Sequence, residues 1–133
     1  MRVVLDTNVL ISAFIFPGGA PEAVYRLVLE GRVEAASSIT LLAEFGRVLA
    51  EKFGWEASRA EEATAQIARI AVLVSPSETV HEIKTDPADD RVLEAAAEAG
   101  AAVIISGDRH LLRLGSWRGI RILVPSAFIA EFE

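Results

Sequence analysis

The sequence predicts an α/β domain in which a parallel sheet is covered by helices on both faces. Three observations carry that prediction. Short apolar or β-branched runs recur along the chain, segments with helical periodicity separate them, and several of those segments stop at a glycine able to close a helix. Parallel neighbours need a crossover and each crossover helix shields one face, so buried strands read as continuous apolar runs.

Arg2 to Leu5 is the first strand and ends on Asp6. After the breaker-rich turn Pro17-Gly18-Gly19-Ala20-Pro21, a helix is expected from Glu22 to Glu30, with Gly31 as its closing residue. Val33 to Ala36 reads as the second strand. Ser38 then caps a longer helix whose stripe of Leu41, Leu42, Phe45, Val48, Leu49 and Phe53 is stopped by Gly54. Ser58 and Glu61 match a capping box, from which helix continues to about Ile70, and Val72 to Val74 is the third strand. Asp86-Pro87 opens a helix running to Gly100, since proline at the first helical position makes the preceding aspartate the cap. Ala102 to Ile105 is a fully apolar fourth strand, Asp108 to Leu114 a short helix, and Ile120 to Val124 the fifth strand. Ser126 is expected to cap a terminal helix carrying Phe128, Ile129 and Phe132. The reading is five strands and about seven helices in one domain, residues 1–133, without repeats or linkers.

With 133 residues, 52% of them hydrophobic, the chain can bury a core without staples. It has no cysteine, which excludes a disulfide framework, cysteine-ligated metals and thiol nucleophiles, and fits a reducing compartment. No apolar run approaches the ~20 residues of a membrane span. Asp6 and Asn8 interrupt the apolar start that a signal peptide would keep clean, so the expectation is a cytoplasmic protein with no membrane partner. A net charge of −6 argues against a general nucleic-acid coat but allows a local basic rim. Acids gathered at one site and met by divalent cations would leave the remaining surface nearly balanced.

In open parallel sheets, ligands bind beyond the carboxyl ends of the strands, where the strand order reverses. Asp6 ends the first strand, and Asp108 follows the fourth after Ser106-Gly107. Each also has a structural explanation, Asp108 as cap of the helix beginning at Arg109 and Asp6 as cap of a turn at Asn8. Glu44 falls at the edge of the apolar stripe on its helix, where a lone glutamate is ordinarily solvated. In Asp86-Pro87-Ala88-Asp89-Asp90, helix-start rules account for Asp86 as cap and Asp89 as complement to the helix end, leaving Asp90 over. Adjacent carboxylates repel and raise each other's pKa, a conflict that a dication removes. An oxygen-only ligand set suits Mg²⁺ or Mn²⁺, whereas His81 and His110 are too few and too scattered for zinc.

Taken together, V-V-L-D-T-N-V-L (3–10), L-L-A-E-F (41–45), D-P-A-D-D-R-V-L-E-A-A (86–96) and I-I-S-G-D-R-H-L-L (104–112) resemble the PIN domain family, particularly its small stand-alone toxins of bacterial toxin–antitoxin pairs. The resemblance spans nearly the whole chain. It implies an α/β/α sandwich with a five-stranded parallel sheet in the order 3-2-1-4-5. It also implies an acidic quartet at Asp6, Glu44, Asp90 and Asp108, with Asn8 and Ser106 as supporting polar residues and Asp89 as an ambiguous further ligand. Ser106 stands where many relatives have threonine, and His110 where many have a further aspartate. The implied activity is endoribonuclease, one or two Mg²⁺ or Mn²⁺ ions in the quartet promoting hydrolysis of RNA phosphodiesters. The implied partners are RNA, a cognate antitoxin and a second copy of the chain. The apolar residues of 14–17 and of the terminal helix are candidates for such contacts, or for core.

RNA approaching an acidic site needs cations, and Arg47, Lys84, Arg91, Arg109 and Arg113 are nearest in sequence, with Arg91, Arg109 and Arg113 as the candidate phosphate contacts. Two other readings compete. A haloacid-dehalogenase-type phosphatase also opens with a strand ending in Asp, but here Asn8 occupies the position of its general acid. The other is a non-catalytic RNA- or protein-binding module on the same fold, which absence of metal binding would favour.

Overall fold

The computed structural model describes residues 1–83 and 86–132. Its strands are β1 (Arg2–Leu5), β2 (Glu34–Ser37), β3 (Val72–Leu73), β4 (Val103–Ile105), β5 (Ser116–Trp117) and β6 (Ile120–Leu123). Its helices are α1 (Thr7–Ile15), α2 (Ala20–Leu29), α3 (Ile39–Phe53), α4 (Ala57–Ile70), α5 (Pro87–Ala99), α6 (Arg109–Leu114) and α7 (Pro125–Phe132). The sheet order is β3-β2-β1-β4-β6-β5, parallel throughout except between β5 and β6.

The five expected strands thus lie in the expected order, and the correction is a sixth, antiparallel edge strand. Ser116–Trp117 turns back on β6 through a two-residue loop, Arg118-Gly119, with φ of 52° and 79°. Positive φ at both loop positions is the type I′ geometry whose twist suits a tight hairpin. Asn-Gly would have announced it, whereas arginine in the left-handed region is uncommon. Trp117 is buried and its indole donates to Glu82 Oε1, which ties the segment before α5 to this edge.

Two further expectations concerned caps. Ser58 lies inside α4, whose N-cap is Glu56 with no side-chain cap bond, so the capping-box pattern marks a helix that begins two residues too early to use it. Ser126 likewise sits within α7, which opens at Pro125, a residue suited to a first helical position. Ser38 and Asp86 do cap, accepting from the amides of Leu41 and Ala88, and Gly54 and Gly100 close α3 and α5 in the left-handed conformation. The helix α1 was not separately anticipated from the Val3–Phe16 run.

Strand side chains alternate between two cores. Val3, Leu5, Val103 and Ile105 face a cluster built with α1, α2, α3, α4 and α7. Val4, Ala36, Ile104 and Ile122 face a second cluster with α5, Leu111 and Trp117. The result is three layers, α/β/α. Phe128 is buried in the first core with Ile129 and Phe132 packed against it, so the terminal helix is core rather than a free apolar surface.

Phe45 is fully buried and meets Phe14 edge-on at 5.4 Å between ring centroids. Phe45→Ala is expected to cost about 3–5 kcal/mol in urea unfolding. Ile39→Ala, at a site 76% exposed, should stay within roughly 0.5 kcal/mol of wild type.

Candidate metal centre

The centre begins with strand register. Leu5 pairs with Ile105 and the Asp6 amide donates to the Ile105 carbonyl at 2.9 Å, so Asp6 and Ser106 emerge side by side where β1 and β4 end. The Ser106 hydroxyl donates to Asp6 Oδ2 at 2.6 Å and accepts from the Asp108 amide at 2.9 Å. One fully buried hydroxyl therefore orients one acid and the backbone that carries another. Asp108 is at once the α6 cap and a wall of the cleft, its Oδ1 accepting from the amides of His110 and Leu111. The cap expected from the sequence is present, and the capping carboxylate also lines the cleft.

Opposite them, α5 supplies Asp86 and Asp89. Carboxylate oxygens of Asp86, Asp89 and Asp108 all lie within 4.8 Å of one another, in a cleft of about 380 Å³ that Asp6, Asn8 and Glu44 also line. A larger cavity of about 470 Å³ between α3 and α4 is mainly apolar and lies away from this cluster.

The geometry separates Asp89 from Asp90. Successive helix residues point ~100° apart, and here that rotation sends the two aspartates to different cavities. Asp89 turns toward the other acids. Asp90 turns away, its Oδ1 accepting the amides of Glu82 at 3.1 Å and Ile83 at 2.9 Å, and it lines a different cavity with His81 and Arg91. Glu94, one turn on, takes the Val80 amide in the same manner. The assignment of Asp90 to the acidic quartet therefore does not match its position, because its oxygen is committed to the segment before α5. The sequence reads Asp86 as a cap alone, whereas the structure also places its carboxylate in the cleft.

Electrostatically the cleft is under stress. Burial pushes the Asp6 carboxyl up to about 6 against the lowering effect of the Ser106 and Thr7 hydrogen bonds, and Asp108 and Glu44 push it further. Burial raises Asp89 to about 8, with Asp108 and Asp86 adding like-charge repulsion. Glu44 is raised by burial and by Asp86, while Arg47 and Lys52 lower it. Asp89 Oδ2 and Thr7 Oγ1, which line the same cleft, are buried with no hydrogen-bond partner among the described residues.

The basic rim is thinner than expected. Arg91 is held by Glu94 at 2.7 Å and by the Val80 carbonyl on the far side of α5, and Arg47 pairs with Glu51. Arg109 and Arg113 are exposed and one turn apart on α6, next to Asp108. Lys84 lies outside the described residues.

The PIN domain family model matches residues 2–110. The chain belongs to the PIN domain family. An uncharacterised protein of Methanocaldococcus jannaschii is 29% identical over 145 aligned positions, covering all of this chain and 92% of its own length. VapBC2 from Rickettsia felis, solved bound to a DNA fragment from its promoter, superposes with TM-score 0.65 at 13% identity, covering 92% of this chain and 97% of that one. VapBC-1 from nontypeable Haemophilus influenzae gives 0.62 at 16% identity, with 95% and 99% covered. These structures share the fold, and the haloacid-dehalogenase alternative falls away.

In this PIN domain the donor set fits a divalent cation. The oxygens are hard, several are anionic, and among the described residues one buried carboxylate oxygen has no partner, which is costly unless a positive ligand meets it. Asp6 and Asp89 bind protons more tightly folded than unfolded, so in metal-free protein their contribution is fully present below about pH 4 and is lost as pH rises through about 6 and about 8. Asp89→Asn should therefore raise the melting temperature at pH 8 in EDTA and flatten its fall between pH 5 and 8. Asp90→Ala should lower it by the equivalent of about 1–3 kcal/mol, since two amides lose their acceptor. A lower melting temperature for Asp89→Asn at pH 8 would show that Asp89 is not under repulsion.

Proposed function

We propose that this PIN domain is a Mg²⁺- or Mn²⁺-dependent endoribonuclease and the toxin member of a toxin–antitoxin pair. The observation that carries the reading is the convergence of Asp6, Glu44, Asp86, Asp89 and Asp108 on one cleft at the carboxyl ends of β1 and β4, where Asp89 Oδ2 is buried with no hydrogen-bond partner among the described residues. Asp6, Asp89 and Asp108 would hold the cation, with Asp86 and Glu44 completing the set and Asn8 at the rim. When bound, the cation supplies Lewis acidity toward a phosphodiester oxygen and toward water, one or two ions serving the same end.

The chain's own residues position and neutralise. Ser106 Oγ holds Asp6 in a single orientation, and the amides of His110 and Leu111 hold Asp108. Asp89 keeps its proton to about pH 8 without a cation and must release it to become a ligand, so metal binding takes up hydroxide equivalents near neutrality. Neither histidine is required as a base. Arg109 and Arg113 stand where an RNA backbone approaching Asp108 would meet positive charge. The similarity to VapBC toxin–antitoxin structures supports an antitoxin partner, and pairing of two toxin copies belongs to the same reading.

Cleavage of a mixed single-stranded RNA pool tests it. Wild type with Mg²⁺ or Mn²⁺ is expected to cut, while EDTA or Asp6→Asn should reduce cleavage by about 100-fold or more with the fold intact by circular dichroism. Full activity in Asp6→Asn would overturn the site, and no cleavage with either metal would overturn the nuclease. Neutralising Arg109 and Arg113 together should lower the slope of log affinity against log salt by about 1–2. An unchanged slope would place the phosphates elsewhere.

A further inference from the structure

The acidic cleft continues into a groove between α1 and α3 whose far end has a different chemistry. Two rows of side chains, each spaced by four residues and so aligned on one helix face, line it. One row is Asn8, Ser12 and Phe16, and the other is Glu44, Val48 and Lys52 with Phe53 adjoining. Both begin among the carboxylates and end roughly 12–14 Å along the helices at an aromatic ring. Phe16 is 61% exposed and Phe53 41%, whereas Phe14, two residues earlier, is packed against Tyr25 and Phe45. Among the described residues Lys52 is the one cation in this lining.

We propose that Phe16 and Phe53 form a base-stacking subsite for unpaired nucleotides flanking the scissile phosphate, with Lys52 meeting a backbone phosphate between them. The proposal rests on the ribonuclease reading above. An RNA strand that passes the acids has to leave by a path that does not repel it, and this groove exchanges carboxylates for neutral side chains and then for a cation. Exposed rings accept the face of any base, so they give affinity without sequence readout. A duplex keeps its bases stacked on one another and offers these rings nothing. A protein partner ordinarily covers about 800 Å² per side, more than two rings and a lysine in a narrow cleft provide.

The test is fluorescence anisotropy of a labelled single-stranded oligoribonucleotide and its duplex, with Ca²⁺ in place of Mg²⁺, using the full chain. Phe16→Leu with Phe53→Leu keeps apolar volume and removes stacking, and the paired tyrosine substitutions restore it. The leucine pair is expected to bind single strands about tenfold or more weakly, with duplex binding and melting temperature unchanged and the tyrosine pair near wild type. Wild-type cleavage with equal single-strand affinity in the leucine pair would overturn the subsite while leaving the nuclease standing. Absence of both wild-type binding and cleavage would overturn both. Unchanged RNA binding with loss of a protein partner would make the rings a protein-docking surface instead.

Discussion

The hydrogen bond from Ser106 Oγ to Asp6 Oδ2 joins the two strands on which the site depends. It exists because β1 and β4 are parallel neighbours in a register that carries Leu5 opposite Ile105 and so brings Asp6 and Ser106 out together. The same oxygen accepts the Asp108 amide, so the direction of the chain into α6 is set by the group that orients Asp6. Charge-assisted bonds of this kind are short and directional. Here one serves a site crowded with carboxylates.

Burial is the larger strain on these acids and their mutual repulsion adds to it. Two hydrophobic cores hold the sheet from both sides, with Val3, Val4, Ile104 and Ile105 fully removed from water, and this packing tolerates a cluster of buried acids at one end. Asp6 and Asp89 respond by holding protons well above the usual carboxylate range. Amides of the segment before α5 donate to Asp90 and Glu94, and the Trp117 indole donates to Glu82 from the sheet edge, which keeps α5 presenting Asp86 and Asp89 to the cleft. The acids of α5 are thus divided by helix geometry between those that hold the preceding segment and those that line the cleft.

The division also gives the cleft its shape. Glu44 stands mid-way along α3, so the helix carries on past the acids and leads with Val48 and Lys52 to the exposed Phe53. On α1 the run from Asn8 to Phe16 does the same. A residue such as Phe16 reads in sequence as one more apolar position in a run from Val3, and only the packing of its neighbours into the core leaves it facing out.

Much of this was legible from sequence because the signals were local. The strands at Arg2–Leu5 and Val103–Ile105, the caps at Ser38 and Asp86, and the closing glycines follow from hydrophobic period and backbone sterics, and four motifs in order are enough to resemble the PIN domain family. Asp6 and Asp108 were placed at strand ends by the geometry of parallel sheets alone. Other features depended on contacts between distant segments. Asp89 and Asp90 are adjacent and identical in type, and the choice between them lies with Glu82 and Ile83, whose amides claim Asp90. The sixth strand rests on Arg118 taking a positive φ that Trp117 burial and the ion pair with Glu78 help hold. Sequence alone determined which acids this protein has, the five parallel strands of its sheet and the helices from α2 onward. Tertiary structure decided which face each acid serves, because a helix turns ~100° per residue and only the packed neighbours show where that rotation points.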